Sequence, residues 1–529
     1  MQIVRIGNGS TGQHAAETIG AKAANLARIA ALGLPVPPAF VLPIRLCAAI
    51  IGGDSQARQR LSDGLAEGIA FLESATGRRF GSRRLPLLVS VRSGAARSMP
   101  GMLDTVLDVG CSPDAVQGLL RMSGHPRFAW DCRRRFLESY ASVVLGLDPE
   151  PFADRLAALV AAEDVGSAQA LDSEAVERLA GQYQQMIDDE DDAVSDDPME
   201  QLQAAAQAVY RSWTSDRART YRQIAGLEDL AGTAVTVQTM VFGNRGLTSG
   251  AGVAFSRDPS TGAAQPVIDV LFESQGEDVV SGRRTPNTEA AIAHSLPQVA
   301  AQLHETLALL EREFHDVQDI EFTIEDGKLW ILQTRSAKRT PRAALRFAID
   351  FVNQGLITPA QALRRINVVD LDALARKRLH DDRAPIACGI GASQGIAVGR
   401  AAFDSVSAAR LAAAGDPIIL NRPDTSTADV AGFAASAGIV TAVGGRTAHA
   451  ALVARQMGKP CIVGCAALTV DTANHSGRLA GTAIKEGDWL SIDGEAGTIH
   501  LGRCEIVIER PDAELLEIER WRAKSPAHA

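Results

Sequence analysis

One segment of the chain, residues 444–465, carries the residue with the clearest chemical potential, His449. The sequence GGRTAHAALVARQMGKPCIVGC places His449 after a glycine turn and at the start of an apolar helix. The positive end of a helix dipole disfavours the imidazolium and therefore favours the neutral, nucleophilic ring. Outward N–H groups at a helix start would also stabilise a phosphate carried on that ring. Since a lone histidine at a helix start is commonly structural, the hypothesis of a phosphate carrier needs support from other residues.

Two basic groups could bind phosphate oxygens. The first is IGAKAANL, in which Gly20 makes a turn at a helix start and Lys22 follows one step later. The second is SVRSGAARSMPGMLDT, in which Arg92 lies among small residues that permit close approach of a ligand. Neither segment matches a Walker A loop or a dinucleotide fingerprint. Each signal is weak on its own.

A third group is acidic and lies farther along the chain. Glu277 occurs in ESQGEDVVSGRRTP and Glu321 in DIEFTIE, while Gln333 and Arg335 close the region in ILQTRSAKRT. Carboxylates opposite a phosphate clamp are suited to hold Mg²⁺ with ATP. Arg335 could neutralise charge on a phosphoryl group in transfer.

Composition limits the class of protein. At 529 residues the chain suits two to four domains, and 46% hydrophobic with 22% charged residues is typical of soluble proteins. A net charge of −10 argues against nucleic-acid and membrane binding, and the start MQIVRIGNGSTG lacks the pattern of a signal peptide. Seven scattered cysteines fit reduced cytosolic thiols, so we expect a cytoplasmic protein. We expect Cys461 and Cys465 to pack near the His449 helix.

The elements that must position these residues follow from periodicity. Residues 15–32 predict a glycine turn with an amphipathic helix, and residues 113–231 a mostly helical stretch. A buried strand, LPLLVSV, precedes Arg92. The runs TAVTVQTMVFG, GAGVAFS, PVIDVLFES, DIEFTIE and KLWILQTR predict strands of one antiparallel sheet with a site on one face.

A second region begins after Pro341. It opens with two short helices, continues as the charged segment DALARKRLHDDRAP that predicts a linker, and then becomes a glycine-rich α/β region over residues 386–502. The tail PDAELLEIERWRAK predicts a short amphipathic helix, which we expect to pack on its own domain.

Taken together, the chain closely resembles the pyruvate, phosphate dikinase family and more distantly resembles phosphoenolpyruvate synthase. The resemblance runs in family order from residue 15 to residue 502. The segments that match the family are IGAKAANL, LGLPVPPAF, PLLVSVRSGAARSMPGMLDT, FAWDCRRRF, VQTMVFGNRGLTSGAGVAFSRDPSTG, QGEDVVSGRRTP, QDIEFTIEDGKLWILQTR and GGRTAHAALVARQMGKPC.

The resemblance implies an α/β multidomain fold, in which an ATP-grasp nucleotide-binding domain precedes a swivelling phosphohistidine domain. The boundaries we expect are residues 1–340 for the nucleotide-binding domain with a helical insertion at about 113–231, 341–385 for a helical linker, 386–507 for the phosphohistidine domain and 508–529 for a helical tail. The phosphohistidine domain would swing on residues 376–385, because one histidine cannot occupy two sites at once.

The resemblance also implies a role for each candidate residue. Lys22 and Arg92 would hold the ATP phosphates, Arg335 would contact the transferring phosphates, and His449 would receive them. The hinge strand that meets adenine would comprise Val237, Gln238, Thr239 and Met240. Glu277, Glu321 and Gln333 would form the nucleotide and metal shell, with Glu321 and Gln333 as ligands of Mg²⁺.

The reaction implied is a transfer in two stages. The β- and γ-phosphates of ATP would pass to His449 as a pyrophosphoryl group, and inorganic phosphate would then take the terminal phosphate. Phospho-His449, AMP and pyrophosphate would remain, whereas water is the acceptor in the synthase relative. One departure is Ala448, where the family commonly has serine; Thr447 retains a hydroxyl and is expected to preserve the helix cap.

The final acceptor is the open question of the sequence. Family dikinases continue into a phosphoenolpyruvate- and pyruvate-binding barrel, which takes roughly 250 residues, and 80 residues follow His449 (529 − 449). We therefore expect the acceptor site on a separate protein, with pyruvate as the default acceptor. Two alternatives are open: a different hydroxyl acceptor, as in phenylphosphate synthase or rifampicin phosphotransferase, and a phosphohistidine carrier or regulatory ATP-binding protein.

Overall fold

The structure is a computed structural model, which describes residues 3–7, 12, 14–97, 99, 103–190, 192–281, 286–367, 374, 376–380, 383–424, 429–446 and 448–524. The chain divides into two compact units, residues 1–250 with 321–335 and residues 251–320 with 336–529. Within the described ranges, no helix has both the length and the apolar character needed to cross a membrane.

The first unit is built on a five-stranded sheet with the order β1-β2-β7-β5-β6. Its elements are β1 (Val4–Ile6), α1 (Ala16–Ile19), α2 (Ala21–Ala31), β2 (Ala39–Leu42), α3 (Cys47–Ile51), α4 (Ser55–Thr76), β3 (Arg79–Phe80), β4 (Pro86–Leu87), β5 (Val89–Ala95), β6 (Thr105–Val109), α5 (Pro113–Ser123), α6 (Pro126–Tyr140), α7 (Glu150–Ala162), α8 (Ser173–Asp189), α9 (Pro198–Arg211), α10 (Asp216–Ala225) and β7 (Thr233–Thr239). The predicted helical stretch over 113–231 is confirmed.

The prediction that these strands form one antiparallel sheet is wrong in one respect. Strand β7 belongs to the sheet of the first unit, where it pairs antiparallel with β2 on one side and with β5 on the other. The remaining strands form a second sheet with the order β10-β9-β8-β11-β12, in which β8 is Gly250–Phe255, β9 Val267–Phe272, β10 Asn287–Thr288, β11 Gln318–Glu325 and β12 Lys328–Ser336. A strand's apolar pattern reports its burial and not the identity of its neighbours, so the pattern could not separate the two sheets.

The second unit contains the sheet that carries the histidine. Its further elements are α11 (Gly276–Ser281), α12 (Glu289–Ser295), α13 (Pro297–Phe314), α14 (Pro341–Asn353), α15 (Pro359–Ile366), β13 (Arg376–His380), β14 (Ala387–Cys388), β15 (Ile390–Ser393), β16 (Ile396–Ala402), α16 (Ser405–Ala413), β17 (Ile418–Arg422), α17 (Val430–Ala435), β18 (Gly438–Thr441), α18 (His449–Gln456), β19 (Cys461–Val463), β20 (Leu468–Asp471), β21 (Ser476–Leu479), β22 (Thr482–Lys485), β23 (Trp489–Asp493), β24 (Thr498–Leu501), β25 (Glu505–Glu509) and α19 (Asp512–Lys524). The eight-stranded sheet has the order β14-β24-β23-β16-β17-β18-β19-β15, with β16, β17, β18 and β19 parallel.

Two predictions about the ends of this region have different outcomes. The tail helix α19 does pack within its own unit, because Ile518 and Trp521 are buried in a cluster with Phe347 and Phe351 of α14. The segment predicted as a linker, by contrast, contains β13, which pairs antiparallel with β25. Its charged residues hid the strand, since a two-stranded ribbon needs little apolar surface.

Candidate functional site

A close backbone approach positions the first turn of α2 against β5. The predicted single helix over 15–32 is split at Gly20, which has φ 82° and separates α1 from α2. A Cβ atom at Gly20 would lie 2.2 Å from the carbonyl oxygen of Gly94 in β5, so only glycine fits there. The contact brings the helix that carries Lys22 onto the strand that carries Arg92.

A hydrogen bond fixes the other side of the same helix. Asn25 Nδ2 donates to the carbonyl oxygen of Thr334 at 3.0 Å. Asn25 lies three residues after Lys22, so both side chains project from one face of α2. Thr334 directly precedes Arg335 in β12. The structure thus brings α2, β5 and the end of β12 together in the first unit.

Lys22 is the electrostatic centre of this cluster. Its side chain reaches solvent, although protein atoms surround it at longer range. That burial lowers the pKa of Lys22, Glu321 opposes the shift, and the nearby charges of Arg92 and Arg335 lower the pKa further. Three cations therefore act on one another around a single carboxylate, which is an arrangement that attracts an anion.

Glu321 and Gln333 lie side by side on β11 and β12. Gln333 Nε2 donates to Glu321 Oε1 at 3.4 Å, and the Gln333 side chain is buried. Carboxylate and amide oxygens are the ligand types that Mg²⁺ accepts, and rotation of the amide would turn its oxygen toward Glu321. The two residues fit a magnesium site at the edge of the cationic cluster.

The predicted hinge strand is the centre of its sheet. The backbone of β7 pairs on both sides through Thr239, and the Met240 N–H donates to the Leu88 carbonyl at 2.9 Å. The Gln238 side chain is also engaged, since it donates to Pro37 O at 3.3 Å and accepts from Arg92 Nη1 at 3.5 Å. Thr239 Oγ1 is buried with no hydrogen-bond partner among the described residues. A nucleobase would therefore meet side chains here and not a free strand edge.

Glu277 occupies a different place from the other acidic residue. It lies on α11, which belongs to the second unit, whereas Lys22, Arg92, Glu321, Gln333 and Arg335 all lie in the first. The first unit thus holds five of the six residues predicted to bind phosphates or metal, and Glu277 belongs to the second unit.

His449 begins helix α18, as the sequence predicts. The residue before it, Ala448, is the N-cap and makes no side-chain cap. The expectation that Thr447 preserves the cap stays a prediction. Thr447 lies outside the described residues. The first N–H groups of a helix have no partner within it, and such groups can bind an anion. Three small residues of the helix, Ala450, Ala451 and Ala454, share a core cluster with Cys461 of β19.

The expected packing near the His449 helix is confirmed for Cys461, whereas Cys465 lies in a separate core cluster that contains no described residue of α18. Cys461 and Cys465 are both buried and free, and Cys461 shares a core cluster with the residues of α18. Burial raises the pKa of Cys461 to about 12, so its thiol stays protonated and inert.

Sequence reasoning missed a contact that holds the loop before His449. Gly445 lies against Pro286, since a Cβ at Gly445 would be 2.7 Å from Pro286 Cδ, and Asp269 Oδ2 is close beyond it. Burial raises the pKa of Asp269, while the charge and backbone N–H of Arg446 act to lower it. No sequence pattern marks Asp269, which lies in an apolar strand and meets the loop only through the fold.

Comparisons with known proteins match two parts of the chain to two different family models. Residues 54–304 and 296–354 match the family model "Pyruvate phosphate dikinase, AMP/ATP-binding domain", and residues 414–497 match "PEP-utilising enzyme, mobile domain". These matches define a mixed α/β protein in which a nucleotide-binding domain is followed by a mobile domain. The chain belongs to the pyruvate, phosphate dikinase family.

Individual relatives support the same conclusion. The chain is 41% identical over 490 residues to the protein "Pyruvate, phosphate dikinase, chloroplastic" of Flaveria pringlei. The aligned region covers 92% of this chain and 51% of the relative. The dikinases of Rhizobium meliloti and Clostridium symbiosum are 41% and 40% identical, over 96% and 92% of this chain. The chain spans little more than half the length of these relatives, 58% and 56% for the two bacterial proteins.

Proposed function

We propose that this chain uses ATP to phosphorylate His449 and then gives the phosphate to an acceptor. The observation that carries the proposal is the cluster of Lys22, Arg92 and Arg335 around Glu321. A cationic cleft with one carboxylate suits a nucleotide triphosphate with its metal, and family membership supplies the histidine that would receive the phosphate.

The cationic and the acidic or amide side chains of this site would have different roles. The three cations would bind the phosphate oxygens and offset the charge that develops during transfer. Glu321 and Gln333 would hold Mg²⁺, which when bound screens the β- and γ-phosphates. The N-terminus of α18 would stabilise the phosphate that the His449 ring accepts.

The proposed chemistry has two steps. In the first, a ring nitrogen of His449 attacks the β-phosphorus of ATP, the bond from that phosphorus to the α–β bridging oxygen breaks, and AMP leaves. In the second, inorganic phosphate attacks the terminal phosphorus and departs as pyrophosphate, leaving phospho-His449. The acceptor is proposed to be pyruvate, on the resemblance alone.

The proposal is tested by following the β- and γ-phosphates of labelled ATP. Wild type and His449→Ala are incubated with Mg²⁺ and β- or γ-labelled ATP, with and without phosphate. We expect the β-label to stay on acid-labile phosphohistidine, the γ-label to leave as pyrophosphate only when phosphate is present, and the variant to carry no label. Labelling of His449→Ala to the same extent as wild type would overturn the proposal, as would a wild type that takes up no label.

A further inference from the structure

A groove on the far side of the helical insertion carries chemistry that phosphate transfer does not use. It has a volume of about 340 Å³ and lies among α5, α6 and α8 of the first unit. Its lining is mostly apolar, with Val116, Trp130 and Ala180 as walls and Arg133 as the buried polar group. A volume of this size is at the lower end of the range for sites of small ligands.

Arg133 is a buried cation without a carboxylate partner. Only 7% of the residue is exposed, and its Nη1 and Nη2 atoms donate to the carbonyl oxygen of Cys111 at 2.6 Å and to Gln184 Oε1 at 2.9 Å. Both acceptors are neutral, and no carboxylate of the described chain lies within ion-pair distance. Asp196 acts on it only at longer range. Burial accordingly lowers the pKa of Arg133.

The next residue along the same helix shows what a compensated arginine looks like. Arg134 is also 7% exposed, but its guanidinium meets Asp131 at 2.8 Å and Glu138 at 2.7 Å. These carboxylates outweigh burial and raise the pKa of Arg134. Since a buried charge is costly unless an opposite charge accompanies it, the groove at Arg133 lacks an anion that the fold supplies next door.

The other lining residues narrow the class of that anion. Trp130 lies three residues before Arg133, so its indole and the guanidinium share one face of α6. The mouth is close to neutral, because Arg83 and Asp114 are 4.0 Å apart there. A flat apolar wall beside a guanidinium fork suits a planar group that bears one carboxylate.

We propose that this groove binds a small aromatic carboxylate, with the carboxylate on Arg133 and the ring against Trp130. The proposal is independent of the chemistry at His449, so the His449→Ala variant should bind the ligand as wild type does.

Isothermal titration of the full chain with benzoate tests the site, and benzamide serves as the neutral analogue. We expect saturable binding of one benzoate per chain, with benzamide weaker by about tenfold or more because it lacks the charge that Arg133 recognises. Equal affinity for the two compounds, or benzoate heat that does not saturate, would overturn the proposal.

Two variants locate the binding. Arg133→Met should weaken benzoate by about tenfold or more, but this change also removes two internal hydrogen bonds. Gly181→Leu leaves those bonds intact and fills the mouth, since a Cβ at Gly181 meets nothing within 4 Å. Gly166→Leu, at a glycine with equally open surroundings outside the groove, is the matched control. Benzoate binding should be lost in Gly181→Leu and kept in Gly166→Leu; binding retained in both would place the ligand elsewhere.

Discussion

Two clusters of arginine and carboxylate in the first unit have opposite designs. Around Asp131, the guanidinium groups of Arg134 and Arg135 and the amide of Asn244 converge on one carboxylate at 2.7–3.1 Å, and Asp131 and Arg134 are buried. Around Glu321 the cations are Lys22, Arg92 and Arg335, and among them Lys22 is open to solvent. The first cluster is closed and saturates its carboxylate, whereas the second is an open cleft.

The pKa shifts express this difference. Burial acts to raise the pKa of Asp131, but Arg135 and Arg134 outweigh it and hold that pKa well below its usual range. In the open cluster the pKa of Lys22 is lowered, because burial and its neighbouring arginines disfavour its charge. Asp131 carries a charge that its surroundings stabilise, which is typical of a structural ion pair. Lys22 carries a charge that its surroundings disfavour, which is typical of a residue that binds a ligand. Similar residue types therefore predict opposite responses to mutation.

The largest expected effect is on the open cluster. Arg335→Ala should lower the rate of His449 phosphorylation by about 10²–10³-fold, because it removes a cation from the phosphate path. Unfolding by urea should change by much less than for a change at Asp131, because Arg335 is only partly buried. The assay is the burst of labelled phosphohistidine, with Arg60→Ala, an exposed arginine of α4, as the control. A loss of stability equal to that at Asp131 would erase the distinction between the clusters.

The converse holds for the closed cluster. Asp131→Asn should lower the free energy of unfolding by about 3–5 kcal/mol at pH 7, because the guanidinium groups of Arg134 and Arg135 lose the buried carboxylate that they share. Since the folded pKa of Asp131 is depressed, its contribution is full above the unfolded pKa of about 3.9 and declines as the pH falls below it.

Urea unfolding of wild type and variant from pH 7 to pH 3 measures that decline. The two curves should converge in acid. A difference that stays constant with pH would show that the charge of Asp131 is not what stabilises this cluster.

A smaller effect is expected at the contact between Gly20 and Gly94, which positions the helix of the open cluster on β5. Gly20→Ala should destabilise the unit by about 2–3 kcal/mol and slow phosphorylation, because the added Cβ meets Gly94 O and pushes α2 from β5. Gly33→Ala is the matched control, since Gly33 has a similar φ of 78° and open space around it. Thermal unfolding should show a clearly smaller loss for Gly33→Ala, and equal losses would mean that strain in φ and not the contact is responsible.

The smallest effect concerns the start of α18. Ala448→Ser should raise stability by about 0.5–1 kcal/mol, because a serine at the N-cap accepts a hydrogen bond that alanine cannot. We expect the phosphorylation rate to change by less than about twofold, since the side chain occupies one N–H and leaves the others to the phosphate. Differential scanning calorimetry and the labelling burst give the two values. A large fall in rate would show that every N–H of this turn is needed.

The sequence predicts the elements well and their partners poorly. The helix at His449, the helical stretch after Ser112 and the α/β character of residues 386–502 follow from periodicity and turn residues. The placement of β7 between β2 and β5 does not, because it depends on which strands collapse together. The hairpin strands β20 to β22 and the ribbon strand β13 were also missed, since their faces are polar and mostly exposed.

The candidate site shows the same limit. Each basic segment gave a weak signal, and only the family resemblance joined Lys22, Arg92 and Arg335. The structure adds physical links that no spacing reveals, such as the Gly20–Gly94 approach and the Asn25–Thr334 hydrogen bond. Those links are long-range in sequence, so local patterns contain no trace of them.

The ribbon of β13 and β25 has a consequence for engineering. Residues 376–380 and 505–509 run side by side in opposite directions, so the chain enters and leaves the histidine-bearing sheet at neighbouring points about 5 Å apart. A module with adjacent ends can replace a surface loop in a host protein at little cost in loop-closure entropy. Residues 376–509 are therefore suited to transplantation as a single cassette, with the ribbon as its stem.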